Sequence, residues 1–110
     1  MNPHDLLPAQ LREQSISQRE IVLPMKEALE AIDLLESQNV QILGWEGWVK
    51  DAQGRIGHSN APQGTVSLQE LPNYKAAQFC RETIQRSASQ WMQDNQNTSS
   101  ALYFCITVQA

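Results

Sequence analysis

The run VQILGWEGWVKD, from Val40 to Asp51, constrains the fold more than any other part of the chain. It is rich in β-branched and aromatic residues and has no helical period, so it predicts a long strand. Alternation places Val40, Ile42, Gly44, Glu46, Trp48 and Lys50 on one face. Gln41, Leu43, Trp45, Gly47, Val49 and Asp51 take the other. Large apolar groups occur on both faces, which predicts a central strand with neighbours on either edge. Gly44 and Gly47 lie inside it. Glycine weakens a strand and usually marks a bulge or a close approach, so the two suggest that the strand bends, that a helix packs tightly across it, or that the neighbouring tryptophans need room.

The flanking segments limit what can pack on this strand. From Met25 to Ser37 the apolar residues Met25, Ala28, Leu29, Ile32 and Leu35 recur at helical spacing, with Glu27, Glu30 and Asp33 on the opposite side. Pro24 suits the first position of that helix, where its missing N–H costs nothing. A second helix is expected from Pro72 or Asn73 to about Gln93, with a stripe of Ala77, Cys80, Ile84, Ala88 and Trp91. EIVLP before Pro24 reads as a short strand. DAQG after the long strand is a turn, with Gly54 at its positive-φ position and RIGHS returning from it. NAPQG is a loop and TVSL a further short strand. ALYFCITV closes the pattern as a strand, with Leu102, Phe104, Ile106 and Val108 on one face and Tyr103, Cys105 and Thr107 on the other. The predicted fold class is α+β, an antiparallel sheet of about four strands with two main helices packed on one face. Residues 1–19, polar and rich in Gln and Ser, are expected as a weakly ordered N-terminal arm. Residues 20–110 are expected as a single α+β domain.

Composition narrows the function. Hydrophobic residues make up 41% and charged residues 18%, which argues against a disordered chain. The net charge of −4 gives no general attraction to nucleic acid or to anionic lipid and favours basic partners. The start, MNPHDLLPAQLREQ, lacks the apolar core of a secretory signal. ALYFCITV is far short of the ~20 residues that span a bilayer. A soluble cytoplasmic location is therefore expected, with no membrane and no nucleic-acid partner.

Marked chemistry is scarce. Glu46 lies between tryptophans in sequence, but alternation leaves only Trp48 on its side, which favours a structural or partner-binding carboxylate over a general acid. The turn could bring His58 near Glu46 across strands, the one candidate acid–base pair. Ser59 and Ser67 carry no nucleophile motif. Cys80 and Cys105 fall in strongly periodic segments and read as buried free thiols, with a disulfide between them left open. His4 and His58 do not make metal-ligand spacing, and no glycine-rich loop opens a helix. No metal, cofactor or catalytic residue is expected. The most distributed signal is acidity. Between Pro24 and Trp48 the carboxylates Glu27, Glu30, Asp33, Glu36 and Glu46 face Lys26 alone, so this stretch holds the whole net charge.

The segment Ala28–Leu68 resembles the small cytoplasmic immunity proteins of bacterial polymorphic toxin systems. The features that carry it are Gly44-Trp45-Glu46-Gly47-Trp48 after an acidic helix, the Asp51–Gly54 turn and GTVSL before a second helix. The resemblance implies a non-enzymatic inhibitor that binds and neutralises a cognate toxin domain, without a cofactor. It implies binding or framework roles for Trp45, Glu46, Trp48 and Asp51. With the acidic helix and His58, the expected partner-binding set is Glu27, Glu30, Asp33, Trp45, Glu46, Trp48, Asp51 and His58. Two alternatives stand beside it. One is a generic interaction module, such as a homodimer through a sheet edge. The other is a small acid–base enzyme using Glu46 and His58.

Overall fold

In the computed structural model, which describes residues 2–58, 60–65, 68–96 and 98–109, four strands form one antiparallel sheet. They are β1 (Ile21–Leu23), β2 (Ile42–Lys50), β3 (Ile56–Gly57) and β4 (Ala101–Val108), in the order β1-β4-β2-β3. The helices are a single turn α1 (Ala9–Arg12), then α2 (Met25–Ser37) and α3 (Asn73–Asp94). The expected α+β class and strand count hold. Both helices begin one residue later than Pro24 and Pro72, which serve as their N-caps. Of the expected TVSL strand, Val66 and Ser67 lie outside the described residues. Thr65 makes one isolated bridge to Trp45, and Leu68–Glu70 is a 3-10 turn. Ser59 and Ser67, which carry no nucleophile motif, also lie outside the described residues.

The core lies between the sheet and the two long helices. Ile21 and Leu23 from β1, Ile42 and Trp45 from β2, and Phe104, Ile106 and Val108 from β4 meet Ala28, Ala31, Ile32 and Leu35 of α2. Ala77, Cys80, Ile84 and Ala88 of α3 complete the cluster. Small residues on the α3 stripe let its backbone sit close to the sheet, leaving room for the one large group, Trp45. That indole packs edge-on against Phe104, centroids 5.2 Å apart, and its Nε1–H donates to Thr83 Oγ1 at 2.8 Å. A buried tryptophan needs such a partner for its N–H. Leu7 and Leu11 join the same core, so the segment around them, set apart in the sequence as part of a weakly ordered arm, packs onto the domain. Ser15 Oγ accepts from Val22 N–H and Ile16 N–H donates to the Val22 carbonyl, which closes the outer edge of β1.

Three expectations are corrected. Strict alternation put Ile42 on the face of Glu46 and Trp48. Instead β2 carries a bulge: Ile42 pairs with Val108, while Gly44 pairs with Thr107, the next residue of β4, so Leu43 is extra. The bulge moves Ile42 to the helix side together with Trp45. Asn73, at the start of α3, holds the bulge: its Oδ1 accepts from Ile42 N–H at 2.9 Å and its Nδ2–H donates to the Val40 carbonyl at 2.8 Å. Second, Trp91 is not core. It is half-buried, and its Nε1–H donates to the Asn60 carbonyl at 3.0 Å. It borders a cleft with Val49, Ile56 and Gly57 rather than packing among the core residues. Third, Met25 is 37% exposed, and Ala31 takes the buried place expected of it on α2.

The two tryptophans should therefore differ in a denaturation experiment. Trp45→Ala is expected to cost about 3–5 kcal/mol, the range for deleting a large buried aromatic. Trp91→Ala is expected to cost about 1 kcal/mol, as for a partly exposed site. Equal losses in urea-unfolding midpoints would contradict this packing.

Candidate functional site

The side of the sheet away from α2 and α3 carries the chemistry. Register places Val22, Cys105 and Glu46 in one row across three strands, with Trp48 opposite Tyr103 beside it. Val22 and Cys105 are buried, Trp48 and Tyr103 half-buried, and Glu46 and His58 exposed. Trp48 Nε1–H donates to Glu46 Oε1 at 3.2 Å. His58 stands edge-on to Trp48, ring centroids 5.5 Å apart. Its Nδ1 lies 3.2 Å from the Gly47 carbonyl, and a carbonyl only accepts, so Nδ1 carries the proton. These bonds restrain an aromatic group that would otherwise turn freely on an open sheet.

A strap of residues 60–65 borders this face along the edge of β2. Trp45 N–H donates to the Thr65 carbonyl at 2.8 Å, and Gly47 N–H donates to the Pro62 carbonyl at 3.2 Å. The glycines allow the approach. A Cβ on Gly47 would lie 2.6 Å from the Pro62 carbonyl oxygen, and one on Gly64 would lie 1.7 Å from that of Trp45. The close approach at Gly47 is thus made by a loop clipped on β2, not by the helix expected across the strand. Between strap and strand runs a groove of about 490 Å³, lined by Glu46, His58, Asn60, Pro62, Gln63 and Gly64.

Cys105 lies beneath this face. Its Sγ–H donates to Glu20 Oε2 at 3.5 Å. Burial pushes the thiol pKa up, and the negative charges of Glu20 and Glu46 push it further. Cys80 is on the helix side, where burial raises its thiol to about 11 against the opposing effects of Thr65 and Arg81. Both cysteines are free and buried, with the sheet between them. Neither thiol is poised as a nucleophile.

The expected binding residues do not form one surface. Trp45, expected at the interface, is 1% exposed and belongs to the core, because its face of β2, the one opposite Glu46, packs against the helices. Glu27 and Glu30 lie on α2, across the sheet from Glu46 and Trp48, beside a separate groove formed with Pro8, Gln10, Leu11 and Gln14. Asp33 is bound within the chain: Arg81 of α3 donates from Nε to Asp33 at 2.8 Å and from its NH2 group to Glu36. Arg81 thus engages two of the four carboxylates of the acidic helix. Asp51 organises the turn. Its Oδ1 accepts from the backbone N–H groups of Gln53 and Arg55, and its Oδ2 pairs with Arg55 Nε at 2.8 Å. Only Glu46, Trp48 and His58 of the expected set are gathered together. Glu20 and Tyr103 share their face. Tyr103 was readable from the alternation of ALYFCITV, whereas nothing in the sequence marked Glu20.

Among the described residues no group of three or more His, Cys, Asp or Glu side chains could hold a metal ion. Nor, among them, is any helix long and apolar enough to cross a membrane. A second cleft of about 280 Å³ lies between the turn and the end of α3, where Asp51, Arg55, Trp91 and Asn95 meet. The Asp51–Arg55 pair and the Trp91–Asn60 bond already occupy much of its polar capacity.

Two outcomes follow from these contacts. Gly64→Ala should destabilise the protein by about 1–3 kcal/mol, the usual cost of overpacking, because backbone rather than a pliable side chain blocks the new Cβ. A thermal midpoint equal to that of the parent protein would contradict the strap geometry. The Asp51 carboxyl is held below its ordinary 3.8, first by the Arg55 backbone N–H and also by the Arg55 side chain and Gln53 N–H. Its contribution to the turn is thus fully present above 3.8 and is lost as pH falls through the lowered folded value. NMR titration of its side-chain carboxyl carbon should give a midpoint below 3.8; one at or above 3.8 would exclude the clamp.

No family model, curated protein or solved structure matches the chain.

Proposed function

We propose that this protein is a binding protein of the immunity type, which neutralises a basic partner protein, a toxin domain, by docking it on the open sheet face. The observation that carries the reading is the composition of that face. Trp48 and Tyr103 stand side by side on the sheet, with His58 against one of them, the Glu46 carboxylate in the adjoining row and the Glu20 carboxylate at the Cys105 thiol of that row. Neither carboxylate makes an ion pair among the described residues, in contrast to Asp33, Glu36 and Asp51. Aromatic anchors with unspent negative charge suit a basic protein surface: the rings supply the buried contact and the charge speeds encounter. The net charge of −4 acts in the same direction at long range.

The acid–base alternative has less support. Glu46 and His58 do share a groove, but each is engaged by another group, Glu46 by the Trp48 indole and His58 by the Gly47 carbonyl. No thiol on the face is reactive enough to serve beside them. The homodimer alternative through a sheet edge draws no support from β1, whose outer edge is already bonded to Ser15 and Ile16.

Co-expression with the product of an adjacent toxin-like gene should restore growth, and the two proteins should co-purify. Trp48→Ala should weaken that complex about thirtyfold, the effect of losing an interface anchor worth about 2 kcal/mol. Undiminished toxicity in the presence of the parent protein would sink the inhibitor reading.

A further inference from the structure

We infer that, until a partner arrives, two copies of this chain pair through the open sheet face, about a twofold axis that runs across the strands above Trp48 and Tyr103. The pairing uses the same face as the docking read above and regulates access to it. Three rows of side chains carry it. Trp48 lies opposite Tyr103, with the His58 ring against it on the β3 side. Glu46 stands one row away along β2, and Lys50 one row away in the other direction, each about 7 Å from Trp48. Such a face is its own complement. In an isologous contact residue i of one copy meets residue j of the other, and j meets i. A twofold axis in the interface plane reverses the strand direction. Glu46 of each copy then faces Lys50 of the other, while the aromatic row faces itself.

The chemistry of each row fits that arrangement. Among the described residues neither Glu46 nor Lys50 takes part in an ion pair. The twofold supplies both with one, twice over. Facing sheets stack ~10 Å apart and turn by ~30°, which displaces a position ~7 Å from the axis by only ~4 Å, within reach of a lysine stem. Trp48 donates its indole N–H to Glu46 Oε1, so the ring is held toward the Glu46 side of its row. The two indoles therefore lean to opposite sides of the axis and overlap offset rather than head-on, as aromatic pairs prefer. On β4 small groups meet: Ala101, in the Lys50 row, comes over Cys105, in the Glu46 row. Ile56, opposite Lys50 in register and 45% exposed, is carried toward the groove that Glu46, His58 and Pro62 line in the second copy. Net charge limits the strength. Each copy carries −4, so two copies repel at long range, and the weak pair gives way to a basic partner.

The test uses the full chain. Sedimentation velocity from ~1 μM to ~1 mM should show monomer passing into dimer, as for a small, weak interface. Over that range the Trp48 indole N–H should shift in nitrogen-15 spectra, while those of Trp45 in the core and Trp91 on α3 stay still. Glu46→Lys and Lys50→Glu should each weaken the dimer about tenfold, because symmetry removes every pair twice. An unchanged Trp45 signal marks each variant as folded. An equal mixture of the two variants should associate again, since the rotation sets the charges of one against the opposite charges of the other. A monomer throughout, a dimer that either variant keeps at parent strength, a shift at Trp91 instead of Trp48, or no association in the mixture would each overturn the proposal. Partner capture separates this from the docking reading. If the chain dimerises as described but Trp48→Ala keeps the partner, the docking reading fails and the dimer stands. If the chain stays monomeric while Trp48→Ala loses the partner, the dimer is wrong and the docking face stands.

Discussion

Leu43 is an extra residue in β2, and its insertion decides which side chains of the strand meet the helices. Before it, Ile42 faces the core opposite Val108; after it, Trp45 faces the core opposite Ile106. Without the bulge these two residues would point to opposite sides of the sheet. The core needs both, since Trp45 fills the space above the alanine-rich stripe of α3 and Ile42 closes its end. Asn73 satisfies backbone groups on either side of Gln41 and so ties the bulge to the first turn of α3. One irregularity thus ties the start of a helix to β2 and brings Ile42 to the same side as Trp45, opposite Glu46 and Trp48.

The second constraint is the distance between β2 and the strap. Gly47 and Gly64 allow the backbone of residues 62–65 to take up the hydrogen bonds of β2 that β3 is too short to reach. The consequence reaches the open face. With Gly47 N–H committed to Pro62 and its carbonyl approached by His58, the imidazole is set against Trp48, and Trp48 in turn reaches Glu46. A packing requirement at two glycines ends as a fixed orientation of three polar and aromatic side chains.

Much of this was legible in local pattern. The periods of α2 and α3, the alternation of β4 and the turn at Asp51 follow from short-range geometry, which spacing reports directly. The face carrying Glu46 and Trp48 was also legible, because the stretch beyond the bulge alternates regularly. What spacing missed was non-local. Arg81 gave no sign that it would bind Asp33 and Glu36 on another helix, so the acidic stripe read as freer than it is. Trp91 fits the α3 stripe by angle, yet no period can say that a loop carbonyl, that of Asn60, will take its N–H at the surface. Ile42 was misplaced because a bulge is a mismatch between two strands and is invisible in either alone.

The sequence by itself determined the α+β class, the two amphipathic helices, the central place of β2 and the pairing of Glu46 with Trp48 on one side. These depend on residue type and spacing, which act over a few positions. Only the tertiary structure decided that Trp45 belongs to the core, that the acidic helix and the aromatic face lie on opposite sides of the sheet, and that His58 meets Trp48. Each of those depends on register between segments distant in the chain, set by the bulge, by Asn73 and by two glycines. Register is a property of pairs of segments, so it emerged only when the strands were brought together.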